Sequence, residues 1–113
     1  MQKIPLLALP NQQLNAVLGD QNVTIAIYDR AGFCYIDLAV GQDFVVRGRL
    51  INPAENLIPA GRGFTGQIMV IDMERLPEEQ EPPEYSGLGS RWEAFFLTDD
   101  EAADLTARLE SLA

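Results

Sequence analysis

Val23-Thr24-Ile25-Ala26-Ile27-Tyr28, the turn residues Arg30-Ala31-Gly32 and the run Cys34-Tyr35-Ile36-Asp37-Leu38-Ala39-Val40 decide the fold class of this 113-residue chain. Val23, Ile25 and Ile27 alternate with Thr24, Ala26 and Tyr28, the period of two expected of a strand buried on one face. Cys34, Ile36, Leu38 and Val40 repeat the pattern after the turn, with Tyr35 and Asp37 on the opposite face, toward solvent. Upstream, Leu14, Ala16 and Leu18 alternate before Gly19-Asp20-Gln21-Asn22. Downstream, Gly41-Gln42-Asp43 turns the chain into Phe44-Val45-Val46-Arg47-Gly48-Arg49-Leu50-Ile51. Short segments joined by turns of two or three residues predict an antiparallel meander.

Residues 52–66 form a long connection containing Asn52-Pro53, Pro59 and three glycines, and Gln67 to Met73 reads as another strand. The next connection, Leu76 to Arg91, contains Pro77, Pro82 and Pro83. Its centre, Glu78-Glu79-Gln80-Glu81-Pro82-Pro83-Glu84, is expected to bury no surface and to form an exposed, mobile loop. Trp92 to Leu97 is the final strand. Thr98-Asp99-Asp100-Glu101 fits a capping box, with acids in the first turn that favour the helix dipole. Ala102, Leu105, Leu109 and Leu112 then follow at helical spacing as one narrow apolar stripe. The chain is therefore expected to be a mainly β single domain, 1–113, an antiparallel sandwich or barrel-like unit over 1–97 with an amphipathic helix over 98–113.

Hydrophobic residues make up 47% and charged residues 22%, values that suit a globular protein. The absence of histidine removes imidazole general bases, Ser-His-Asp and Cys-His nucleophile systems, and His-containing zinc sites. The single cysteine, Cys34, forms no intrachain disulfide, and its apolar neighbours point to a buried structural thiol. The net charge of −9 is unevenly placed. Five acids balance five bases through Ile71, whereas twelve acids face three bases from Asp72 onward. That sign disfavours nucleic acid and anionic membranes and suits a solvated or basic-protein-facing edge. The start, Met1 to Pro10, is too short and too Pro-interrupted for a signal peptide, and no segment is long and apolar enough to span a membrane. A cytosolic compartment is expected.

Gly61-Arg62-Gly63-Phe64-Thr65-Gly66 matches a dinucleotide-binding pattern literally, but strand-like residues follow it where a helix is required, so it reads as a turn. Asp37 and Asp72 are the carboxylates best placed within strands for acid–nucleophile work, although strands commonly carry an outward Asp. The acidic loop lacks calcium-loop spacing. No catalytic, cofactor or metal residue is assigned. Arg47 and Arg49 are expected on one strand face, available to neighbouring or partner acids, and Trp92, followed by Phe95 and Phe96, is expected in the core, with an aromatic interface anchor as the alternative.

Ile4-Pro5-Leu6 with Pro10-Asn11-Gln12, then Gly32-Phe33-Cys34-Tyr35-Ile36-Asp37-Leu38, Asn56-Leu57-Ile58, Gly66 with Val70-Ile71-Asp72, and Tyr85-Ser86-Gly87-Leu88-Gly89-Ser90-Arg91 together resemble the baseplate plug proteins of contractile-tailed phages, the cyanophage type included. The resemblance runs from about residue 3 to residue 97 and rests on the order of these segments. It implies a small, mainly β, non-enzymatic virion protein of the tail baseplate, near the hub and spike, that helps close or organise the tube end. Hub, spike, wedge or tube subunits are then the expected partners, with several copies per assembly, the virion tail as its place and the host cytoplasm as the site of assembly. The rivals are a small tail-associated glycan hydrolase acting through Asp37 or Asp72, and a free β-barrel binding module. Leu88, Gly89, Arg91 and the 78–84 loop form one expected contact surface, and the helix, through Leu105 and Leu109, forms another.

Overall fold

The alternating segments become a four-stranded antiparallel meander of β2 (Asn11–Leu18), β3 (Gln21–Arg30), β4 (Phe33–Val40) and β5 (Asp43–Leu50). The structure, a computed structural model, describes residues 1–59 and 63–112, and the side chains at 106 and 109–112 lie outside that description. A second antiparallel sheet is ordered β1 (Gln2–Ile4), β7 (Trp92–Leu97), β6 (Gln67–Asp72). The two sheets contribute to one buried cluster and do not close on each other as a barrel, so the sandwich form of the expected fold is the one adopted. Alternation sets the inner faces. Val23, Ile25 and Ile27 on β3, Cys34, Ile36 and Leu38 on β4, Ile68 and Val70 on β6, and Trp92, Ala94 and Phe96 on β7 are all buried. Each fully buried Leu or Ile removes enough apolar surface from water to stabilise the fold by about 1.5–3 kcal/mol before entropy is counted.

The strand at the start of the chain has no sequence signal of its own. Its three residues pair with β7 in the register Gln2↔Phe96, Lys3↔Phe95, Ile4↔Ala94, and only Ile4 is buried. Pro5 limits its length.

The expected common face of Arg47 and Arg49 is overturned. Two register shifts separate β5 from β4, and Gly48 sits at φ +64° inside the first of them. The inserted residue re-aims the strand. Arg47 stacks over the Phe44 ring at 4.4 Å on the outer face, whereas Arg49 lies opposite the inward Ile36 and pairs with Glu55 at 3.2 Å.

The helix α1 (Asp99–Leu112) starts with the expected capping box: Glu101 N–H donates to the Thr98 hydroxyl at 3.2 Å and Thr98 N–H donates to the Glu101 carboxylate at 3.0 Å. The N-terminal ammonium also pairs with Glu101. Ala102 is buried and half-buried Leu105 lines a groove with Met69 and Ile71. Met69 and Ile71 face away from the inward Ile68 and Val70, so the helix covers the outer face of the three-stranded sheet, opposite to Trp92 and Phe96. The Leu109 and Leu112 side chains, the other half of the expected stripe, lie outside the described residues, as does part of the glycine-rich pattern at 61–62. Removing everything after Leu97 is expected to uncover Met69 and Ile71 and lower the unfolding free energy by about 1–3 kcal/mol. Urea denaturation checks this; an unchanged midpoint would mean that the helix does not act as a cap.

Candidate functional site

Parity along β6 carries Asp72 into the core. It follows Ile68 and Val70 at intervals of two, and its side chain is 0% exposed. A buried carboxylate is costly unless paired and hydrogen-bonded, and here every oxygen is engaged. Arg91, next to β7, docks as a fork: Nε donates to Oδ1 at 2.9 Å and Nη2 to Oδ2 at 2.8 Å. The Glu74 and Glu81 amides donate to Oδ1 and Oδ2 at 3.1 and 3.4 Å.

A second layer ties the 76–91 connection to this pair. Arg91 Nη2 also donates to Glu81 at 2.5 Å, and its guanidinium lies 4.4 Å from the Trp92 ring centroid. Trp92 Nε1 donates to the Glu81 carbonyl at 3.0 Å. Gln80 completes the clamp: its Oε1 accepts from Asp72 N–H at 2.8 Å, while its Nε2 donates to the carbonyls of Asp72, Arg75 and Leu76 at 3.0, 3.2 and 3.3 Å. The expectation that residues 78–84 bury no surface is therefore corrected. Pro83 is fully buried, Pro77–Glu79 forms a 3-10 turn, Gln80 is anchored by its side chain, and Glu81 by its backbone and side chain. The acidic composition hid an internal cation, Arg91, that binds two of these acids at once.

Hydrogen bonding to Arg91 holds the Asp72 carboxyl down at about 2, against the upward push of burial, with the two amides assisting. The same contacts with Asp72 and Glu81 raise Arg91 further above its already high range. Because the folded value lies below the ordinary carboxylate value, the stability from this ion pair is complete above about pH 4 and is lost as pH falls toward 2. Between pH 5 and 2 the wild-type unfolding free energy is expected to fall more steeply than that of Asp72→Asn. Parallel curves would contradict the pairing.

Of the expected contact residues, Leu88 is buried at 2% exposure and Gly89 is exposed at φ +83°. A Cβ at Gly89 would lie 2.4 Å from the Leu6 carbonyl oxygen, and one at Gly87 would lie 2.4 Å from the Trp92 ring, so both positions require glycine. Leu88, Gly89 and Arg91 thus come together around Trp92, and they shape the connection from within. Leu105, on the sheet-facing side of α1, lines a groove with Met69, Ile71, Pro77 and Gln80 that none of those three residues lines. What the clamp leaves at the surface are Met73, Leu76 and Tyr85, at 54%, 58% and 39% exposure, among Glu74, Glu78, Glu79 and Glu84. Sequence reasoning did not single out these three side chains. The inward parity of Asp72 was the available signal, since a carboxylate on that face demands a cation nearby.

Asp37 stands elsewhere, on the outer face of the four-stranded sheet. It accepts from the Tyr28 hydroxyl at 3.0 Å and from Gly48 N–H at 2.6 Å, beside Arg30 and Arg47 in a shallow trough. Burial, then the bond to Asp37, raises the Tyr28 phenol above its usual range. Asp37 faces outward from the four-stranded sheet and Asp72 inward from the three-stranded one, so the two do not flank a common cleft. Among the described residues no group of three possible metal donors converges. Cys34 is buried, and burial pushes its thiol up to about 11.

Residues 1–100 match the family described as cyanophage baseplate Pam3 plug gp18. A search of curated proteins finds no match. The matched stretch includes both sheets, the Asp72–Arg91 clamp and the connection it holds; most of α1 lies beyond it.

Proposed function

Since the chain belongs to the cyanophage baseplate plug family, we propose that it is a structural component of a contractile-tail baseplate, placed near the hub and spike, where it helps close the tube end before contraction. The observation that carries this reading is the family match over residues 1–100. The structure supports it in kind. Two sheets on one core make a rigid body, and a buried ion pair fixes a surface connection that would otherwise fluctuate. Loops held by a rigid scaffold are common recognition surfaces.

In this reading Met73, Leu76 and Tyr85 touch a hub, spike, wedge or tube subunit. Leu88, Gly89 and Arg91 set the shape of that contact, and Leu105, with Leu109, anchors the helix or extends it toward a neighbour. The acidic rim around the apolar tips calls for a basic partner surface. Several copies act in one virion tail, and assembly takes place in the host cytoplasm. In this reading the protein performs no catalysis: Asp72 is engaged at both oxygens by Arg91 and two amides, Asp37 accepts at Oδ1 from Tyr28 and Gly48, and the two carboxylates share no cleft. Negative-stain microscopy of particles lacking this protein is expected to show absent or unstable baseplates. Normal, infectious tails would contradict the assignment.

A further inference from the structure

Each sheet edge but one carries a device that prevents another strand from adding to it. The strand β1 is three residues long and bears Lys3. Register shifts bend β5, which also carries Arg47 and Arg49. The outer edge of β6 is occupied by the chain itself, since Ala54 N–H donates to the Val70 carbonyl at 2.8 Å and Leu57 N–H to the Ile68 carbonyl at 2.9 Å. Short length, charge, bulges and covering segments are the usual protections of exposed edges.

Among the described residues the remaining edge, β2, has none of them beyond the Gln2 side chain at its Val17 end. Asn11-Gln12-Gln13-Leu14-Asn15-Ala16-Val17-Leu18 contains no charge, proline or glycine, and it pairs with β3 over eight consecutive positions without a register shift. Asp29 N–H donates to the Pro10 carbonyl at 2.8 Å, which sets the phase of the ladder. By alternation the even-numbered residues exchange bonds with β3, while the backbone groups of Asn11, Gln13, Asn15 and Val17 point away from the sheet. At one end Gln2 Nε2 donates to the Val17 carbonyl at 2.9 Å, which leaves that oxygen a second lone pair.

We propose that β2 pairs antiparallel with β2 of a second copy of this chain, about a two-fold axis through Leu14, joining two four-stranded sheets into one. In that register Gln13 lies opposite Asn15 of the copy and Asn11 opposite its Val17, so every outward N–H meets a carbonyl. Amide side chains meet amide side chains on the outer face, and Leu14, packed only partly against the core at this edge, meets its own copy. The strand carries no charge, so the pairing places no like charges directly opposite one another. An interface of one strand pair buries less than the roughly 1,200 Å² of a tight complex, so association in the micromolar range is expected. Self-pairing rests on the backbone of β2 and not on the baseplate role.

Sedimentation equilibrium of the full chain from about 1 µM to 1 mM tests it. The wild type is expected to pass from monomer to dimer. Asn15→Pro removes an N–H that points outward and leaves the β2–β3 backbone ladder intact, losing only the exposed bond from the Thr24 hydroxyl to the Asn15 side chain, so it is expected to stay monomeric with a urea midpoint lowered only slightly. If Asn15→Pro does not fold, Gln13→Pro, with the same outward geometry, takes its place under the same criteria. A wild type that remains monomeric throughout, or a folded proline variant that dimerises like the wild type, would overturn the proposal. A monomeric wild type whose Asn15→Pro variant fails to enter tails would assign this edge to a strand of another subunit, also against self-pairing.

Discussion

Arg91→Met is expected to lower the urea midpoint sharply, because it leaves the buried Asp72 carboxylate without its principal partner. The methionine preserves much of the volume over Trp92 but withdraws the fork from Asp72, whose side chain is 0% exposed and retains only the Glu74 and Glu81 amides. Two readouts separate loss of the pair from general damage. The Asp72 carboxyl should titrate near or above the ordinary range rather than at about 2, because its principal stabilising contact has gone. The 76–91 connection should become the first site of limited proteolysis, since Glu81 loses its tie to Arg91. In a double-mutant cycle with Asp72→Asn the two effects should be strongly non-additive. Additive losses, with the connection still protected, would remove the clamp from the account.

Trp92→Ala is expected to cost about 3–5 kcal/mol through the large cavity it opens. The indole is 4% exposed, and it supports Arg91 on one face, crowds Gly87, and donates to the Glu81 carbonyl. Trp92→Phe keeps part of the packing and loses that hydrogen bond together with one ring of the indole, so it is expected to cost less, about 1–3 kcal/mol. Circular dichroism during urea denaturation reads both, as the only tryptophan of the chain is absent from each variant. Equal costs for the two substitutions would show that the hydrogen bond, and not the buried ring, holds the connection.

The parts of this fold legible in sequence are those governed by local periodicity. Alternation at Val23–Ile27 and Cys34–Leu38 places the inward side chains, and Thr98 with Glu101 marks the start of α1. Three features required information from distant residues. The strand β1 is too short and too close to Pro5 to show a period; its place comes from pairing with Phe95 and Phe96, more than ninety positions away. The bulge in β5 breaks the parity that would have kept Arg47 and Arg49 together, and only the register against β4 shows it. The clamp joins Asp72 to Arg91, nineteen positions apart, across a connection whose prolines and glutamates read as solvated. Composition describes what each of these residues prefers alone, whereas the ion pair changes the environment of both partners. The family resemblance was legible because segment order survives where single motifs are weak, yet it did not indicate Met73, Leu76 or Tyr85, whose exposure depends on the clamp behind them.

The measurement that bears most directly on the central claim is an electron cryomicroscopy map of the assembled tail. The account predicts density for this two-sheet chain within the baseplate, beside the hub and spike, with the Met73–Tyr85 connection against a neighbouring subunit in the clamped conformation. A complete baseplate in which the chain is absent, or in which that connection faces solvent on every copy, would contradict it.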